Sequence, residues 1–138
     1  MMQNHSLFCL SKILRGGMSV ESILISVKKV LGGISEEDES FDVDIIMHIN
    51  SVFAILNQLG VGPEEGYTIS DSSQTWNEFL GNDKRLEFVK TFVQQKVKLI
   101  FDPPQSSAHL ESIKQTISEL EFRILSETDK PKKEDTDE

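Results

Sequence analysis

The chain has one cysteine, Cys9, in 138 residues. A single thiol builds no disulfide framework and no cysteine-based zinc site, and it fits a reducing compartment. Positive charge is also scarce: 14 Lys and Arg stand against 23 Asp and Glu, a formal net charge of −9. Proteins that grip nucleic acid carry a basic stripe, because phosphate contacts supply most of their affinity. The balance here argues against gripping DNA as the main task, though not against letting DNA pass unheld. No apolar run approaches the length of about 18 residues that a spanning helix needs, so no membrane partner is expected. The stretch MMQNHSLFCLSKILRGG has a short apolar patch. It lacks a basic region before that patch and a small-residue cleavage site, so it does not read as a secretory signal.

That stretch has two open readings. The "RGG" before Met18 is what a purine-rich ribosome-binding site would encode in frame, and a periodic segment starts directly at "MSVESIL". Residues 1–17 are then a non-native or flexible extension. The alternative is a short amphipathic helix with Leu7, Leu10, Ile13 and Leu14 on one side.

What the chain does have is helical spacing. With 38% hydrophobic and 27% charged residues it suits one globular body rather than wholesale disorder. Residues 19–31 predict a first helix capped by Ser19, with Val20, Ile23, Leu24, Val27, Val30 and Leu31 at i, i+3, i+4 spacing and Gly32-Gly33 as its stop. A second is expected over 42–59, where Ile45, Ile46, Ile49, Val52, Phe53, Leu56 and Leu59 make a broad apolar face and suggest the central helix of the core. His48 falls off that stripe and reads as a surface or boundary residue. "TWNEFLG" predicts a short helical turn between Thr75 and Gly81, anchored by the only tryptophan, Trp76. Asp83 can cap a third long helix, which "DPP" ends. A last helix runs from about Ser107 to Leu125 on Leu110, Ile113, Ile117, Leu120 and Ile124. The fold class expected is all-α, a small bundle of four main helices plus a short helical turn over residues 18–125. Residues 126–138 form a charged, disordered, acidic tail. The core anchors are Phe53, Leu56, Trp76 and Phe79.

Each stretch that hints at chemistry fails on spacing. Six carboxylates lie between Glu36 and Asp44, but without the alternating oxygens, central glycine and terminal glutamate of a calcium loop. They read as a solvated linker whose later acids sit at a helix N-terminus. "QLGVGPEEGYTI" nearly spells a dinucleotide fingerprint, yet its third glycine arrives one residue late. The loop also follows a helix, so the dipole has the wrong sign for phosphate, and Glu64 and Glu65 would repel it. Ser106, Ser107, His109 and Glu111 crowd a helix start, where serines are ordinarily caps. No catalytic, cofactor or metal residue is predicted, and no enzyme. Glu64, Glu65 and Tyr67 are candidate loop contacts. The helix over 83–98 carries Lys84, Arg85, Lys90, Lys96 and Lys98 against Asp83 and Glu87. This basic face is a candidate subunit contact for the acidic Glu36, Glu37, Asp38 and Glu39 of a neighbour, the head-to-tail kind that closes rings.

The segments "IMHINSVFAILNQLGVGPEEGYTI", "TWNEFLGN", "KVKLIFDPP" and "LESIKQTISELEFRIL" together resemble the head–tail connector proteins (head-completion or adaptor proteins) of long-tailed phages infecting Gram-positive bacteria. The likeness covers about residues 18–125 and includes no short functional signature. It implies a helical virion protein at the head–tail interface, assembled in the host cytoplasm. About a dozen copies would form a homo-oligomeric ring beneath the portal protein. A stopper or tail-completion protein would bind below, and DNA would pass through the channel without specific binding. The C-terminal helix and the tail after Leu125 are expected to help engage the portal. A reading from a different class remains beside it, a small acidic helical regulatory module that binds another protein.

Overall fold

The computed structural model describes residues 21–81 and 87–128. Within them lie five helices and no strand: α1 (Ile23–Lys28), α2 (Asp42–Gln58), α3 (Trp76–Leu80), α4 (Glu87–Phe101) and α5 (Ser107–Thr128). The all-α bundle read from the spacing is the fold. Ser19 and Asp83, expected as caps, lie outside the described residues.

The first helix is shorter than its apolar spacing predicts. Ser22 caps it, extended at φ −64° and ψ 133°, with its Oγ accepting the Ile25 N–H at 3.3 Å. Past Lys28 the N–H groups of Val30 and Leu31 reach back only three residues, to Val27 and Lys28. This tightened turn carries Leu31 into the core although the helix proper has ended.

A six-residue helix is too short to hold itself, and α1 is held from outside. Ser22 and Thr75 form an antiparallel bridge, in which Ile23 N–H donates to Gln74 O and Trp76 N–H to Glu21 O. Thr75 in turn caps α3 through Glu78 N–H, so two capped helix starts are tied side by side. The Trp76 indole N–H then donates to the buried Ser26 Oγ at 2.7 Å, and that hydroxyl donates to Ile23 O.

α2 buries Ile45, Ile49, Val52, Phe53 and Leu56. The helix that touches every other long one is α4, however, which packs on α1, α2 and α5. It buries Val89, Phe92, Val93 and Val97, and half-buries Phe88, Leu99 and Phe101 against the same cluster. That spreads its apolar surface around more of its circumference than α2 does. α5 starts on Ser106, whose carbonyl accepts Leu110 N–H and whose hydroxyl accepts His109 N–H. It lays Ile113, Ile117 and Ile124 into the core. It runs to Thr128, three residues beyond the expected end at Leu125, so residues 126–128 of the expected disordered tail are helical; an Arg123–Glu119 pair at i,i+4 spacing supports this end.

Candidate functional site

The glycine stretch is a fastened loop over an aromatic platform. Leu59 N–H and Gly60 N–H close the end of α2, and Gly60, Gly62 and Gly66 all take positive φ, between 86° and 91°. Asn57 Nδ2 donates to Pro63 O at 2.9 Å. Two turns earlier, Asn50 pairs with Ile69 in both directions, Nδ2 to Ile69 O at 3.0 Å and Ile69 N–H to Oδ1 at 2.8 Å. These amides give the loop the backbone partners that a sheet would otherwise supply. Beneath it Phe53 meets Phe79 at 4.4 Å and Tyr67 edge-on at 5.7 Å. Phe53, Leu56, Trp76 and Phe79 are all buried.

Tyr67 is half-buried, and its hydroxyl donates to Glu78 Oε2 at 3.2 Å. Burial, then the Glu78 hydrogen bond and charge, push its pKa from 10.0 up to about 12. As the only tyrosine it can be titrated by ultraviolet difference absorbance. A midpoint near 12 is expected, and Glu78→Gln should lower it only in part, since burial is the larger cause. The raised value means the folded chain keeps a proton that the unfolded chain has lost. Stability is therefore untouched below the ordinary tyrosine range and falls as pH rises from there toward the folded value. A midpoint at the ordinary value would remove the Tyr67–Glu78 contact.

The acidic segment is organised around a residue that the spacing does not flag. Lys28 is 2% exposed. Its ammonium donates to Glu36 O at 3.0 Å, Asp38 O at 2.7 Å and Asp42 Oδ1 at 2.8 Å, so all three donors are used. The segment thus turns carbonyls inward and leaves the side chains of Glu36, Glu37 and Glu39 outside. Hydrogen bonds from Ser40 hold the Asp38 carboxyl below its usual range, with the Lys28 charge assisting. A lysine i+4 from Leu24 and three before Leu31, followed by a run of acids, was the available signal.

The basic face of α4 is partly spent within its own chain. Lys90 pairs with Glu21. Lys98 donates to Val30 O at 3.0 Å and lies 3.6 Å from Asp102, whose carboxylate also accepts Gly32 N–H. Lys96 sits over its own Phe92 ring. Lys84 and Arg85 lie outside the described residues. His48 lies edge-on to Phe101 at 6.3 Å, a boundary contact. Glu64 and Glu65 are exposed.

The outward line of α2 is the least usual surface. Val43, Met47, Ser51, Ala54 and Gln58 are all exposed, Val43 at 80% and Met47 at 56%. Beside Ala54 a cleft opens between α2 and the loop, where Phe53 and Tyr67 are joined by the polar Asn50, Asn57, Gln58 and Glu65. Among the described residues no group of three or more His, Cys, Asp or Glu side chains could hold a metal. No helix there is long and apolar enough to cross a membrane.

No curated protein and no solved structure matches the chain. A family model described as phage connector protein matches residues 23–131. That span takes in every described helix, the fastened loop and the Lys28 hub, and the chain belongs to the phage connector protein family.

Proposed function

We propose that this structural phage protein forms a ring at the head–tail interface, bridging the portal to the stopper or tail-completion protein, with DNA passing through its channel. Membership of the connector family over residues 23–131 carries the reading. The net charge of −9 agrees with it, since like charge keeps a polyanion from adhering to a conduit. The protein would act in the virion after assembly in the host cytoplasm, with the C-terminal helix and the tail after Leu125 helping to engage the portal. A contact between neighbours would pair the basic face of α4, Lys84, Arg85, Lys90, Lys96 and Lys98, with Glu36, Glu37, Asp38 and Glu39 of the next copy, Lys90 and Lys98 exchanging the partners they have in their own chain.

Electron microscopy of purified portals, with and without the protein, tests this. An added ring of density on one face of the portal is the expected result. A protein that stays monomeric alone and with portals would overturn it and favour a small acidic module that binds another protein.

A further inference from the structure

Residues 45–63 contain no charged side chain, in a chain that is 27% charged. Their outward line on α2 runs from Met47 through Ser51 and Ala54 to Gln58, with Val43 one turn before it, and no described part of the chain covers it. A solvated helix face is ordinarily charged, whereas depletion of charge over apolar residues marks the centre of a protein interface. Acids bracket the line: exposed Asp44 at one end, and Glu65 at the cleft beside Ala54 at the other.

The same chain carries a surface of matching pattern. On α5, Lys114, Ser118 and Phe122 follow at i, i+4, i+8 and are exposed, Phe122 at 70%. Arg123 is next to it, in a solvent-exposed pair with Glu119, which is worth little and exchanges readily. Lys114 to Phe122 is eight residues, about 12 Å of helix, and Asp44 to Ala54 is ten, about 15 Å, a difference the lysine stem spans. With Lys114 of one copy at Asp44 of the next, Phe122 would fall at the level of Ala54 and its cleft, with Arg123 toward Glu65.

We infer that α5 of one copy docks along α2 of the next, with Phe122 seated in the cleft beside Ala54. The inference rests on the ring reading and names a contact between copies distinct from the one through α4 and residues 36–39. The two surfaces differ, so the contact is head-to-tail and repeats around a ring. Pairing α2 with α2 would instead set the acidic ends of both copies near one another, which disfavours it.

Disulfide trapping tests the contact. Ala54→Cys and Phe122→Cys proteins, each also Cys9→Ser, are mixed under mild oxidation, free and with portals present. Mixed dimers should exceed either homodimer, and a control pair of Thr91→Cys with Phe122→Cys, by at least about tenfold, from the local concentration that docking creates. Lys114→Glu should reduce the mixed product, and Asp44→Lys in the partner should restore it. Mixed product at the control level, or dominant homodimers, would overturn the contact. Rings on portals without the 54–122 cross-link would sink the contact alone. A cross-link without rings would sink the ring reading alone.

Discussion

Gly62→Ala is expected to destabilise the protein by about 3 kcal/mol, the sum of a left-handed alanine at roughly 1–2 kcal/mol and an overpacked site at roughly 1–3 kcal/mol. Gly62 has a φ of 86°, and a Cβ there would lie 2.4 Å from Phe79 Cε1. The ring has little room to yield, because it already rests against Phe53 at 4.4 Å and Tyr67 at 5.3 Å. Gly60 is the control. It has the same φ, but a Cβ would meet nothing within 4 Å, so Gly60→Ala should cost only the backbone part, about 1–2 kcal/mol. Thermal unfolding followed by circular dichroism measures both, and the Gly62 variant should melt roughly 10–20 °C lower than the native chain. Equal costs at the two glycines would mean that Phe79 does not pack beneath the loop.

Lys28→Met should cost about 3 kcal/mol, because it strips the partner from two backbone carbonyls and a carboxylate at a buried site. The methionine nearly matches the lysine stem in bulk, so the loss reports the ammonium and not a cavity. Asp42→Asn should cost less, about 1 kcal/mol, since Glu36 O and Asp38 O still hold the ammonium and Asp42 is already 22% exposed. Denaturant unfolding of the two variants separates these magnitudes. A Lys28→Met protein as stable as the native one would show that the acidic segment is not anchored there.

Most of the helices were legible because burial writes a period into the sequence. The stripes of α2 and α5 are unbroken, and α2 begins at Asp42 as the spacing predicts. Legibility failed where a side chain acts against its type. Lys28 occupies a core position with its charge satisfied by carbonyls eight and ten residues on, and periodicity counts it as polar and therefore outside. Ser22 caps α1, while Ser19, the expected cap, lies outside the described residues; the residue Ser22 bridges to, Thr75, comes from a distant stretch of the chain, and no local rule reads such a pairing. The lead role of α4 was hidden for a related reason. Its Phe88, Phe92, Leu99 and Phe101 face several neighbours, while a one-face count rewards only the cleanest stripe. The candidate contacts on α4 were read as charges to be shared with a neighbour; Lys90 and Lys98 have nearer partners in their own chain. The amide clamps of Asn50 and Asn57 had no signal at all, since asparagine in a helix is ordinarily a surface residue.

Those two clamps have a mechanical consequence. They grip the loop seven residues apart on one helix, about 10 Å along its axis, at Ile69 and at Pro63. A segment pinned at both ends to the same rod cannot swing on one hinge. A push against Glu64 or Glu65 therefore does not fold the loop away. It is passed into α2 at Asn50 and Asn57, and from there across Phe53 to the aromatic stack, as a lever arm transmits load to its pivot.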